Sequence, residues 1–312
     1  MPIRPAPPLP RWLADMLPFE RCTFELTEGP LAGRSMHLID EGPKDAPAVV
    51  MVHGNPAWSF LWRKVVAELP GFRCIAPDLL GFGLSSRLRS AVDHTIGNHA
   101  STLVALVEAL VPGPFIVVGQ DWGGPLAVQL CRALPDRVAG VVLANTSVFV
   151  PERPRGTTFH AFSRLPVVSD FVFRGLGFPQ NILWSVQGNR RSIRGRVAKA
   201  YKWPLRRPSA RVGPLALARM VPDGAEHPSV GPLREGAEWM SSFEGPTALV
   251  WGARDPILGR ALRRHERELP RAEVTVTDAG HFLQEEVPGA IAAAIKSTHA
   301  RARSGADVEA RG

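Results

Sequence analysis

Cysteine is scarce in this chain of 312 residues: Cys22, Cys74 and Cys131 are few, far apart and without a CxxC pair. Their number and spacing exclude a disulfide scaffold or a cysteine-based zinc framework and suit reduced thiols in or near a core. No apolar run reaches the ~18 residues of a membrane span. The opening MPIRPAPPLPRWLADMLPF is broken by prolines and lacks the apolar stretch of a secretory signal, so a cytoplasmic protein is expected. Tyrosine is nearly absent, Tyr201 standing alone. Acids are sparse in one region. Residues 151–220 hold 14 Arg and Lys against Glu152 and Asp170, a charge of +12 in a chain of net +8, which leaves about −4 elsewhere. Such a stretch is either a solvated helix surface or a patch that attracts anionic substrates, acidic partners or an anionic surface. No nucleic-acid motif accompanies it, so no nucleic-acid partner is expected.

What is present is a 45% hydrophobic composition, enough for one large domain carrying an insertion. Short β-branched runs alternate with helix-length segments, predicting an α/β fold with a mostly parallel central sheet and helices on both faces. Strands are expected at AVVMV (48–52), RCIA (73–76), FIVVG (115–119), VAGVVLA (138–144), TALVWG (247–252) and EVTVT (273–277), with helices near 59–69, 97–111, 123–134, 258–268 and 288–300. Several of these strands are almost wholly apolar, as strands covered on both faces are. The alternation stops near residue 149 and resumes near 245. Residues 1–148 and 237–300 are therefore expected to form one core, 149–236 an inserted helical cap, and 301–312 a frayed polar tail.

The chemistry is concentrated at a few strand ends. In VVGQDWGGPL, Asp121 occupies the turn between a strand and a helix, flanked by Gly119 and Gly123. This is the nucleophile-elbow arrangement with an acid in the serine position; an N-cap Asp with ordinary turn glycines is the competing reading. VMVHGNP (50–56) runs a strand straight into His-Gly. In the elbow architecture such a loop gives one backbone N–H of an oxyanion hole and the residue after the nucleophile gives the other, which assigns Asn55 and Trp122. His281 lies in DAGHFLQEE (278–286), after the other partners, as the order nucleophile, acid, histidine requires. Asp255 follows a strand in LVWGARDPI, whereas the end of VVLANTSVF offers Asn145 and no carboxylate before Glu152. Asp255 is thus the expected partner of His281.

With HGNP-x-W (53–58), PDLLGFGLS (77–85), QDWGG (120–124), WG-x-x-D (251–255) and GHF (280–282), the chain from about residue 10 to 298 resembles an α/β-hydrolase-fold protein of the haloalkane dehalogenase family. The resemblance implies that Asn55 and Trp122 also bind halide, through the Asn amide and the indole N–H. It further implies a small hydrophobic halogenated substrate, water as co-substrate, no metal, no cofactor, no membrane span, and scope for self-association. A carboxylate suits displacement at saturated carbon, leaving an alkyl ester that water activated by His281 then hydrolyses. Epoxide hydrolases of this fold resemble a different design, with cap tyrosines protonating the leaving oxygen; here only Tyr201 exists. The pattern also resembles the β-lactone decarboxylases of olefin biosynthesis, which tend to carry His where this chain has Gln120. Tyr201-Lys-Trp-Pro-Leu resembles a cap motif of the whole group. Trp184 and Trp203 are candidates for lining the pocket or for packing.

Overall fold

The computed structural model describes residues 2–154 and 157–309, without the side chains of 158–160 and 306–309. Nine strands form one sheet: β1 (Ile3–Pro5), β2 (Arg21–Glu25), β3 (Ser35–Glu41), β4 (Ala48–Val52), β5 (Arg73–Pro77), β6 (Phe115–Asp121), β7 (Val138–Thr146), β8 (Thr247–Gly252) and β9 (Glu273–Thr277). Their order is β1-β2-β3-β5-β4-β6-β7-β8-β9, antiparallel from β1 to β5 and parallel from β5 to β9. The six expected strands are all present. Three more, β1 to β3, were not expected, because they are antiparallel and carry mixed polar and apolar residues at the sheet margin.

Every residue of β4 and β8 is buried, in keeping with a sheet sandwiched between helices. Apolar side chains form one buried cluster on each side of it. Strand order reverses between β5-β4 and β6, so the carboxyl ends of β4 and β6 diverge into a crevice where open α/β sheets bind ligands. Val52 pairs with Gly119, which sets the loop after β4 directly beside the end of β6.

Between β7 and β8 the described chain is helical and turn-rich, with no strand. Its last helix, Val230–Ser242, packs on the core helix Gly123–Ala133, so the expected division at 236/237 falls inside an element that sits against the core. The final helix runs from Pro288 to Glu309 and does not stop at 300. This corrects the expectation of a tail frayed from 301: Ala and Arg are good helix formers, and Arg301 is tied to the sheet by donating to the Thr247 carbonyl at 2.8 Å. Residues 310–312 lie outside the described residues.

The cap is bolted to the core by a buried polar cluster. Arg63 donates to both Glu285 oxygens (2.5 and 2.8 Å), and the Tyr201 hydroxyl donates to Glu285 Oε1 at 2.7 Å. A buried carboxylate is tolerable because three charged or hydroxyl donors, including Lys64, surround it.

Candidate active site

Asp121 ends β6 with φ of 52°, in the left-handed region that L residues other than Asn and Asp rarely enter. The backbone is held there by a register shift against β7 between Gln120 and Asp121, and by the Thr146 hydroxyl donating to the Asp121 carbonyl at 2.6 Å. The strain costs on the order of 1 kcal/mol and turns the carboxylate out of the sheet. Two glycines make room. A Cβ on Gly123 would strike the Val52 and His53 carbonyls, and one on Gly54 would strike the Asp121 carboxylate itself.

The Asn55 backbone N–H donates to Asp121 Oδ1 at 2.7 Å, and the Trp122 N–H also bonds the carboxylate. Trp122 is the residue before the helix Gly123–Ala133, so the carboxylate also sits at that helix's positive end. The other oxygen, Oδ2, lies 3.8 Å from His281 Nε2. His281 Nδ1 is 3.0 Å from Asp255 Oδ2, and Asp255 Oδ1 accepts the Ile257 N–H at 2.8 Å. Because the Asp255 carboxylate can only accept, the proton of a neutral His281 is on Nδ1 and the lone pair of Nε2 faces Asp121. All five residues expected at the site, Asp121, His281, Asp255, Asn55 and Trp122, are brought together.

Burial pushes the Asp121 carboxyl up from its ordinary value; His281 and the two N–H donors offset that only in part. For His281, burial alone would lower the pKa, but the carboxylates of Asp255 and Asp121 outweigh it and hold it above the usual histidine value. Part of that elevation comes from Asp121's charge. Converting Asp121 to an ester would remove it and return the imidazole toward its neutral, basic form.

A cavity of about 610 Å³ opens above Asp121. It is walled by apolar side chains such as Phe149, Leu183, Val221 and Leu233, with Asp121 and His281 the only charged or titratable lining groups among the described residues. Asn55 and Trp122 also face it. The Asn55 side-chain nitrogen donates one hydrogen to the Pro214 carbonyl at 2.9 Å. An acceptor there fixes which end of the amide is nitrogen, and the second hydrogen is left for the cavity. The Trp122 indole N–H has no protein acceptor among the described residues, so an anion between these two donors would meet neutral N–H groups in a dry setting.

Trp184 and Trp203 do not line the cavity: Arg194 and Arg206 respectively lie over their rings, 4.3 and 4.5 Å from the centroid. Tyr201 is buried against Glu285, away from the cavity. His53, despite its place in HGNP, is wholly engaged by the Gly54 carbonyl and the Leu79 N–H.

Two residues that the sequence offers without a role at the site, Gln120 and Asn145, have one here. The Gln120 side-chain nitrogen lies 3.3 Å from the His281 carbonyl and 3.2 Å from Nε2. Asn145 donates to the Gly280 and His281 carbonyls (2.8 and 3.0 Å) and accepts the Gly252 N–H at 2.8 Å, clamping the loops that carry His281 and Asp255. Their strand-end positions were visible; their partners, over a hundred residues away, were not.

Residues 47–288 match the α/β hydrolase fold family. The chain is 32% identical to haloalkane dehalogenase 2 of Mycobacterium tuberculosis over 291 residues, 90% of this chain and 95% of that protein. It is 30% identical to a cis-3-alkyl-4-alkyloxetan-2-one decarboxylase of Xanthomonas campestris, over 85% and 92% of the two chains. Among solved structures, a tetrameric haloalkane dehalogenase from Paraglaciecola agarilytica superposes with a TM-score of 0.77 at 25% identity, covering 89% of this chain and 92% of that one. The elbow, its histidine loop and these relationships lead to one assignment: the chain belongs to the α/β hydrolase fold family and, within it, to the haloalkane dehalogenase-like hydrolases.

Proposed function

We propose that the protein hydrolyses haloalkanes to an alcohol and halide through an alkyl ester on Asp121. Asp121 Oδ2 attacks the carbon bearing the halogen, the carbon–halogen bond breaks, and the halide leaves toward the Trp122 indole and Asn55 amide N–H groups. Oδ1 becomes the ester carbonyl oxygen, already accepting the Asn55 backbone N–H, with the Trp122 N–H also on the carboxylate. His281 Nε2 then takes a proton from water, which adds to the Asp121 carbonyl carbon. Negative charge builds on Oδ1 beside these N–H donors; collapse expels the alkoxide, which takes the proton from His281 to leave as alcohol, and the Asp121 carboxyl group releases its own proton to restore the carboxylate. Asp255 stabilises the imidazolium formed in between.

The observation that carries the reading is the Asp121 carboxylate itself, with one oxygen in an N–H cradle and the other beside His281, at the floor of an apolar cavity. An acid here is a poor acyl-transfer nucleophile but a workable one at saturated carbon. The apolar walls favour an uncharged alkyl substrate. The test is incubation of His281→Phe with 1-bromobutane: a covalent butyl adduct on Asp121 is expected by intact mass and peptide mapping, and an unmodified protein under saturating substrate contradicts the mechanism.

A second reading is favoured by the decarboxylase relatives and by a cavity roomier than a four-carbon haloalkane requires. The same groups would open a cis-dialkyl β-lactone and release CO₂ and an alkene. Halide release from 1-bromobutane and CO₂ release from the lactone, assayed side by side, separate the two.

A further inference from the structure

Eleven large apolar side chains are exposed among those described, and six of them fall between residues 165 and 182. Leu165, Val167, Val168, Phe171, Leu176 and Ile182 stand out on the first part of the cap, with Val167 79%, Phe171 62% and Leu176 58% exposed. The local structure explains the concentration. Val168 and Phe171 are three residues apart in a short helical run (Val168–Gly175), whose inner face is used by Ser169 and Phe173. A single exposed Leu or Val is ordinary; six within eighteen residues form a patch that calls for an occupant.

The patch has a basic border. Arg211 donates to the Arg174 and Gly175 carbonyls (2.7 and 3.0 Å) and to the Leu205 and Arg206 carbonyls (2.7 and 3.1 Å). It thereby staples the exposed 205–207 turn beside the end of the apolar run. Arg206 and Arg207 are exposed on that turn, and the Arg207 guanidinium has no acidic partner among the described residues. The only acid nearby in sequence, Asp170, is engaged by Arg174 and Arg219. Around this patch the cap as a whole carries +12 over residues 151–220.

We infer that this face of the cap docks on an anionic lipid surface, inserting the apolar ridge at the headgroup boundary while the arginines meet lipid phosphates. Apolar side chains rimmed by arginine are the chemistry of interfacial attachment. A second copy of this chain meeting the same face would set Arg206 and Arg207 against arginines of the same sign, whereas an anionic bilayer neutralises them. No helix among the described residues is long and apolar enough to cross a membrane, so attachment is peripheral. Ile182 belongs both to the exposed patch and to the cavity wall. Docking there would place the cavity mouth at the bilayer, where apolar molecules concentrate.

The test is flotation with phosphatidylcholine vesicles, with and without phosphatidylglycerol, at 0.1 M salt. The wild-type chain is expected to float with the anionic vesicles and to stay behind with the neutral ones. Arg206→Gln/Arg207→Gln should weaken partitioning about 30-fold, from about fivefold per arginine at the surface. Val167→Asp/Phe171→Asp should abolish it. Both pairs are solvent-exposed, so unchanged thermal midpoints are expected and show that the fold is intact. The inference is overturned if the wild type floats with neither vesicle, or if neither pair changes flotation. It is also overturned if sedimentation velocity shows a self-associating chain that Val167→Asp/Phe171→Asp renders monomeric while lipid has no effect.

Discussion

Replacing Asp255 with Asn isolates one step of the proposed reaction. Both carboxylate oxygens are in use, Oδ2 by His281 Nδ1–H at 3.0 Å and Oδ1 by the Ile257 N–H at 2.8 Å, and both side chains are buried. An amide has one oxygen for these two donors. If it serves Ile257, the amide NH₂ faces His281 and drives the ring to the tautomer protonated on Nε2, which cannot accept a proton from water. If it serves His281, a backbone N–H is left unpaired and the imidazolium loses a charged partner. An equivalent change in a Ser-His-Asp enzyme costs about 10⁴ in turnover, or about 5 kcal/mol. The loss should fall on ester hydrolysis alone, because Asp121 displaces halide without proton transfer. Rapid-mixing assays of D255N with a bromoalkane should therefore show a burst of about one halide per active site, then turnover lowered by 10³–10⁴. Absence of the burst, or turnover within tenfold of wild type, would refute the assigned role of Asp255.

Bromide should quench tryptophan fluorescence through Trp122, and Asn55→Ala should weaken the bromide affinity at least tenfold; equal affinity in the variant would move the halide site elsewhere. Tyr201→Phe removes one of several donors to Glu285; a stability loss of about 1–2 kcal/mol is expected, with turnover within threefold. Collapse of turnover in a folded Y201F chain would instead make the hydroxyl part of the chemistry. Burial holds the pKa of His94 and His265 down at about 4, so the folded chain keeps both neutral while the unfolded chain protonates near pH 6.5. The unfolded state then binds more protons, and stability falls as pH drops from about 6.5 toward 4, by about 2 kcal/mol per histidine at pH 5. His281, with its raised pKa, works in the opposite direction but is outnumbered. Urea midpoints at pH 7 and pH 5 check this, and equal or higher stability at pH 5 would refute it.

The core of the fold was legible because parallel strands buried on both faces, such as AVVMV and TALVWG, are uninterrupted apolar runs between helix-length segments. RCTFE in β2 escaped notice because only Phe24 is buried and its pairing is antiparallel at the sheet margin. The elbow was legible for a local reason: close strand–helix approach demands glycine at 119 and 123, a constraint written in adjacent residues. Asp255 and His281 could be placed because each follows a recognisable strand. The roles of Gln120 and Asn145 depend on which loop lies across the strand ends, and no local pattern carries that. Trp184 and Trp203 were open between pocket and packing because a bulky ring suits either; the arginines stacked over them mark the outer side of the cap.

In the proposed reaction the oxygen of water reaches the product by way of Asp121's own carboxyl group. A single turnover with excess enzyme in H₂¹⁸O, followed by proteolysis and mass spectrometry of the peptide spanning residue 121, tests it directly. A gain of 2 mass units in part of that peptide, localised to Asp121, is expected, with ¹⁶O in the alcohol of that first turnover. An unlabelled Asp121 together with ¹⁸O in the alcohol would mean that water attacks the substrate carbon itself, contradicting the covalent mechanism.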